Sequence, residues 1–225
     1  MIRVHVICEG QTEEMFVNEI LNRVFFLKEI YLYPSLIGSK GSNFKFERLF
    51  TDVRKWLLSD PTAFCTTFFD FYGLPRSFPG KDEAKNHISY IDKARCLTKN
   101  MTEQLNEKLG DGPLRRFIPY VQMYEFEGLL FSDPDRLAQG ICQAKLAKDF
   151  HAIRQNFNSP EEINDSPTHA PSKRIAALFP EYDKPIHGSL AAIEIGLDVI
   201  RRECPLFDGW IQRIECLVNQ SRNTP

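Results

Sequence analysis

The chain has 225 residues, and its 28 Lys and Arg against 30 Asp and Glu give a formal net charge of −2. That balance excludes a plain basic nucleic-acid-binding module, which would carry a strongly positive footprint, but not an enzyme whose cations offset its acids. The cysteines form no C-x-x-C pair, which argues against a structural zinc site, and no apolar run reaches membrane-spanning length. With no basic and apolar leader at its start, the chain is expected in the cytoplasm with reduced thiols.

Ile2 to Cys8 reads as a β-branched strand with Ile2, Val4, Val6 and Cys8 on one face. Gly10 breaks it, Thr12 is a good N-cap, and Phe16, Val17, Ile20, Val24 and Leu27 follow at helical spacing. The turn between strand and helix carries Glu9, Glu13 and Glu14 and no cation. Such a turn repels a bare phosphate, and a divalent cation between carboxylates and phosphate resolves the conflict. Glu14, and with even weight Glu13, also suit a first helical turn for its dipole. Glu9 stands before the helix, at the carboxyl end of the strand, where open α/β sheets place their ligands.

A second strand is expected over 30–37, at an edge or broken there because of Pro34. The polar loop 38–43 holds Lys40, which could meet a phosphate but reads first as a connection. A helix follows with Phe46, Leu49, Phe50, Val53, Trp56 and Leu57 on one stripe, ended by Asp60-Pro61. Ala63 to Phe69 is a nearly continuous apolar run, the best candidate for a buried central parallel strand, and Asp70 closes it. A loop over 76–85 and a polar helix over 86–109 come next, the helix with Ile88, Ile91, Ala94, Met101 and Leu105 as apolar positions. Phe117 to Tyr124 reads as a fourth strand running into Glu125 and Glu127 among aromatic and aliphatic neighbours. A buried acid there needs a partner or a metal.

The last third reads as helical in pieces, with a polar, Pro-rich surface excursion over 158–171. Ser172-Lys173-Arg174 opens a short helix with cations in its first turn, against the dipole, which suits a bound anion. Lys184 adds a cation in a loop, helices are expected over 190–200 and 207–218, and the tail 219–225 is polar.

Glu9-Gly10-Gln11-Thr12-Glu13 and Asp70 resemble the Toprim fold of primases, topoisomerases and OLD-type nucleases. Together with 70–75, 124–133 and 171–174, these residues resemble the Toprim-like bacterial family described as domain of unknown function 4276. The resemblance implies an α/β fold: a short, mainly parallel four-stranded Toprim-like sheet flanked by helices over residues 1–133, with a helical C-terminal extension, 134–225, packed on it. It implies Glu9 and Asp70 as catalytic acids and magnesium or manganese ligands, with Glu13 a further ligand. Where the Toprim pattern has Asp-x-Asp, this chain has Asp70-Phe71-Tyr72, so Glu125 or Glu127 is expected to supply the missing ligand. The leading expectation is a magnesium-dependent nuclease acting on DNA or RNA, with Ser172, Lys173, Arg174 and Lys184 on the phosphates. An ATPase partner and a role in phage defence are implied by the resemblance alone. A regulatory subunit without turnover, or a phosphohydrolase of a small nucleotide, stands as the alternative.

Overall fold

The computed structural model describes residues 1–39, 45–163 and 169–222. Lys40, part of the Pro-rich stretch and the last residues of the tail lie outside them. Four strands, β1 (Ile2–Cys8), β2 (Ile30–Leu36), β3 (Phe64–Phe68) and β4 (Phe117–Ile118), form one all-parallel sheet in the order β2-β1-β3-β4. Pro34 lies opposite Val6 on the edge strand β2, where a missing N–H can face outward. Central β1 and β3 read as apolar runs because helices cover both faces of the sheet.

On one face lie α1 (Gln11–Phe16), a π-helical turn (Val17–Leu21) and α2 (Asn22–Phe26). On the other lie α3 (Phe46–Ser59), the short α4 (Lys81–Ala84), α5 (Tyr90–Leu109) and α6 (Asp111–Leu114). The C-terminal helices follow: α7 (Glu127–Leu130), α8 (Pro134–Gly140), α9 (Ala147–Arg154), α10 (Pro171–Leu178), α11 (Lys184–Ile195), α12 (Leu197–Glu203), α13 (Pro205–Glu215) and α14 (Leu217–Arg222). Ile2, Val4, Val6 and Cys8 share a core with Phe16, Leu21, Phe207, Trp210 and Ile214, while Ile7 points into the opposite core with Leu49, Val53, Leu97 and Met101. The C-terminal helices therefore pack into the same core as the first strand. Trp210 fixes α13 to the sheet: its Nε1 donates to Thr66 Oγ1 at 2.8 Å and its ring stacks on Tyr120, with centroids 4.6 Å apart.

Several local expectations are corrected. The first helix begins after Gly10, not Thr12, which is buried inside it. The π turn adds a residue to the helical repeat, so the buried side turns to Leu21 and Phe25 and leaves Leu27 83% exposed. The α5 helix starts only at Tyr90, capped by Ser89, and Ile88 is 99% exposed ahead of it. The fourth strand stops at Ile118, the last residue that pairs directly with β3; Pro119 faces away from β3 and removes no bond of that ladder. The Thr67 hydroxyl takes over, accepting from Tyr120 N at 3.0 Å and donating to Tyr120 O at 2.7 Å. Beyond it, pairing resumes as a single parallel bridge between Asp70 and Gln122. Gly196, at φ 82°, splits the helix expected over 190–200 into α11 and α12.

The stretch expected to be a surface excursion begins buried: Ser159, Pro160, Glu161 and Ile163 lie inside. The Glu161 carboxylate accepts from the amides of Leu206 and Phe207, at 2.8 and 3.0 Å, and so caps α13. Burial pushes its pKa up to about 7 against the pull of those two amides. Glu161→Ala is expected to destabilise the chain by about 3 kcal/mol, because the buried Phe207 amide and the half-buried Leu206 amide lose their acceptor, and Glu161→Gln by roughly a third of that. Urea denaturation decides it; an alanine variant with an unchanged midpoint would show that the cap does not matter.

Candidate active site

The carboxyl ends of β1 and β3 are still adjacent where the acids emerge, since Glu9 N donates to Phe68 O at 3.1 Å. Glu9 then turns its carboxylate across to the next strand, where Oε2 accepts from the Asp70 amide at 2.9 Å. The chain after Asp70 is pinned to the segment beyond β4: Phe71 N donates to Gln122 O at 2.8 Å and Tyr72 N to Tyr124 O at 3.1 Å. Gly73 closes this turn directly against Glu9, with no room for a side chain. The same pinning brings round Glu125 and Glu127, past Tyr124, which sits in the left-handed region at φ 64°. Such a conformation is uncommon for a non-glycine residue and recurs where a site fixes the backbone.

The acids of β1, β3 and the segment after β4 thus meet at one end of the sheet, around Lys184. Lys184 is not in a loop: Asp183 caps α11 and Lys184 opens it, followed by Pro185. Its ammonium lies 3.1 Å from Glu127 Oε2 and 3.7 Å from Glu125 Oε1. Burial alone would lower its pKa, but the charges of Glu127, Glu125 and Asp70 together raise it. A cation in the first turn of a helix opposes the dipole, and these carboxylates offset that cost.

Burial sets the character of the acids. Glu13 is pushed up to about 7 by burial first and by the Glu9 charge. Glu127 is pushed up to about 7 by burial, with Glu125 adding and Lys184 opposing. Asp70 is raised well above the carboxylate range by burial, then by Glu13, Glu9 and Glu127, and Glu9 is raised by burial. Asp70 Oδ1, Glu127 Oε1 and the Tyr182 hydroxyl are buried without a hydrogen-bond partner among the described residues. Buried oxygens without donors are costly, and carboxylates in that state attract a cation or a proton.

The sequence-derived set is partly divided by the structure. Glu13 Oε2 accepts from the Gly10 amide at 2.9 Å, the third-residue half of a capping box, so Glu13 has a structural role as well as its place in the acidic field. Glu125 Oε2 accepts from Ser172 N at 2.9 Å. The Ser172 amide at the start of α10 thus holds the Glu125 carboxylate. Lys173 is exposed, and Arg174 Nε donates to the His169 carbonyl at 2.8 Å. Both belong to a neighbouring surface; neither has a contact with the acids.

Lys81, Gly73 and Tyr182 went unnoticed in the sequence. Lys81 is buried, donates to the Phe71 carbonyl, and lies over the Phe71 ring at 3.3 Å from its centroid. Burial and Lys85 pull its pKa down to about 7, with Glu9 opposing. It braces from behind the turn that carries Asp70. Gly80, left-handed at φ 76° just before it, is the one local signal that something special follows.

The donors fit magnesium in chemistry: all are hard oxygens, and two carboxylate oxygens lack partners. Among the described residues, no three His, Cys, Asp or Glu side chains are grouped tightly enough to enclose an ion by themselves. Magnesium does not require that, since it keeps several waters and uses one or two carboxylates together with substrate phosphates.

The fold and site define a three-layer α/β protein with a buried acidic cluster at the carboxyl ends of its parallel strands. The chain belongs to the family described as Domain of unknown function (DUF4276), whose model matches residues 8–215 and so takes in every acid of the cluster. No curated protein and no solved structure matches the chain. Among the described residues, no helix is long and apolar enough to cross a membrane.

Proposed function

We propose that the chain is a magnesium-dependent nuclease that hydrolyses phosphodiester bonds of DNA or RNA. The observation that carries this reading is the pair of buried, partnerless carboxylate oxygens, Asp70 Oδ1 and Glu127 Oε1, in one acidic field with a lysine beside them. Asp70 and Glu127 would hold the ion, and when bound it supplies Lewis acidity at the phosphate and an acidified water. Glu9, made more basic than an ordinary carboxylate by burial, is suited to accept a proton from water, and its bond to the Asp70 amide fixes where Asp70 points. Lys184 supplies the positive charge that a phosphodiester needs in order to approach so acidic a pocket.

One observation favours a second reading, a scaffold without turnover: Lys184 already neutralises Glu127 at 3.1 Å, as a structural ion pair would. Calorimetry separates the two. The wild type is expected to bind magnesium or manganese, and Asp70→Asn and Glu127→Gln to bind at least about tenfold more weakly, a loss of ~1.4 kcal/mol. The same variants, still folded, should lose hydrolysis of labelled oligonucleotides. A wild type that neither binds a divalent cation nor cleaves, even with an oligonucleotide present, leaves the scaffold. Cleavage of mononucleotides alone moves the assignment to a small-nucleotide phosphohydrolase.

A further inference from the structure

The buried acids at the carboxyl end of the sheet gather around one cation. Glu127 and Glu125 pair with Lys184, at 3.1 and 3.7 Å, and with no other cation among the described residues. The same ammonium favours the ionised forms of Glu9, Glu13 and Asp70, so its charge reaches all five acids. The fold holds Lys184 there: Asp183 caps α11, the lysine opens it, and Pro185 follows.

Glu127 uses its two oxygens unequally. Oε2 accepts from the ammonium at 3.1 Å, while Oε1 is buried with no partner among the described residues. The residue is 1% exposed, so bulk water does not reach that oxygen. An ammonium has three N–H donors, and Glu127 takes one of them. An ion pair that served the fold alone would gain from satisfying both oxygens, because a buried pair repays its desolvation only when its remaining lone pairs are hydrogen-bonded. Asp70 Oδ1 lacks a partner in the same way, and it lies in the field of Glu127.

A carboxylate that places one oxygen on a cation and leaves the other without a donor has the form of a bridge between two cations. In two-metal hydrolytic sites the ions stand about 3.5–4 Å apart, a separation that the two oxygens of one carboxylate span. At Glu127 one of those two places is taken by the lysine. An ammonium is a compact point charge of one positive unit. It neutralises a neighbouring phosphate oxygen but carries no water to acidify, so it does half of what an ion does.

We propose that the Lys184 ammonium stands in for the second ion of a two-cation site, so that the chain takes one divalent ion, on Glu127 Oε1 and Asp70 Oδ1, and takes two only when the lysine is removed. The inference rests on the reading of the cluster as a divalent-cation site, and adds to it the number of ions and the part that Lys184 plays. Lys184 then supplies charge at the phosphate and takes no part in activating water. An ion in place of Lys184 would use Glu127 Oε2 and Glu125 Oε1, the two oxygens that face the ammonium.

The test uses the full chain and manganese, read by calorimetry and by the electron paramagnetic resonance of the bound ion. The wild type is expected to bind one ion per chain, with the spectrum of an isolated ion. Lys184→Ala should bind two, with the spectrum of a spin-coupled pair that shares Glu127. Lys184→Arg keeps the charge and should bind one. Adding Glu127→Gln to Lys184→Ala removes the bridge and should abolish the coupled spectrum. Manganese should raise the melting temperature of Lys184→Ala more than that of the wild type, so the variant can be followed even where it is less stable without the ion. Two ions in the wild type overturn the inference and leave the cation site standing. One ion in both the wild type and Lys184→Ala, or a pair without coupling, also overturns it and shows Lys184 to be a structural counter-ion. No ion in the wild type overturns the inference together with the nuclease reading, whether or not Lys184→Ala binds one.

Discussion

Gly73→Ala is expected to weaken divalent-cation binding at least about tenfold while leaving the fold intact. A Cβ at this position would lie 1.7 Å from Glu9 Oε1, 2.2 Å from Cδ and 2.3 Å from Oε2, far inside any tolerated contact. The obstacle is the tip of a flexible side chain, so Glu9 moves and the backbone stays. Gly73 is exposed and is not among the residues of positive φ, so alanine costs its own backbone little. What is lost is the 2.9 Å bond from the Asp70 amide to Glu9, and with it the orientation of Asp70. Calorimetry should show magnesium affinity down at least about tenfold, ~1.4 kcal/mol, with a melting temperature close to that of the wild type. Glu9→Ala removes the clash, so adding Gly73→Ala to it should have no further effect on binding; the two changes act through one contact and should be strongly non-additive. Wild-type affinity in Gly73→Ala would mean that Glu9 does not organise the cluster.

This dependence on Gly73 could not be read from the sequence, because it arises from one side chain crossing to a turn 64 positions later. What was legible follows from periodicity and strand ends. The β-branched run of β1 announced a strand and the apolar run of β3 a buried parallel one, Pro34 announced an edge or a break, and Glu9 and Asp70 at the strands' carboxyl ends announced a meeting of acids. The misreadings have local physical causes. A π turn changed the phase of the first helix, the Thr67 hydroxyl interrupted the ladder beyond Ile118, and Glu161 turned a Pro-rich stretch into a buried cap. The same limit applied to the carboxylates. Nothing local separates Glu125, spent on the Ser172 amide, from Glu127, whose Oε1 lacks a partner, since that depends on where α10 and α11 pack. Lys184 carried a signal that was available: Asp183 as N-cap with Pro185 two residues on marks a helix start, where a cation is out of place unless acids face it.

In the presence of a chelator, the melting temperature should fall as pH rises from 5 to 8, and magnesium at pH 8 should restore it. Glu13 and Glu127 have folded-state values near 7 against an ordinary 4.5, and Asp70 and Glu9 are shifted in the same direction. The folded state thus holds protons that the unfolded state has already released. This contribution is fully present below pH 4.5 and is lost as pH climbs through 7. A single carboxyl so shifted contributes on the order of 3 kcal/mol across that window, so the cluster could lower the melting temperature by on the order of 10 °C in a chain of this size. Glu161 adds the same sign from outside the site, so Glu161→Gln should reduce the pH effect and leave the magnesium response unchanged. Lys81, lowered to about 7, acts oppositely: the unfolded state holds its proton up to about 10.5, so stability from this group rises only above pH 7 and does not mask the fall below it. Magnesium competes with the same protons, so its rescue should grow with pH, follow RT ln(1 + [Mg]/Kd), and disappear in Asp70→Asn. A melting temperature that stays flat from pH 5 to 8 without divalent cations would mean that the carboxyls are not held protonated. A fall that magnesium does not reverse would leave a buried acidic cluster that binds protons and no metal.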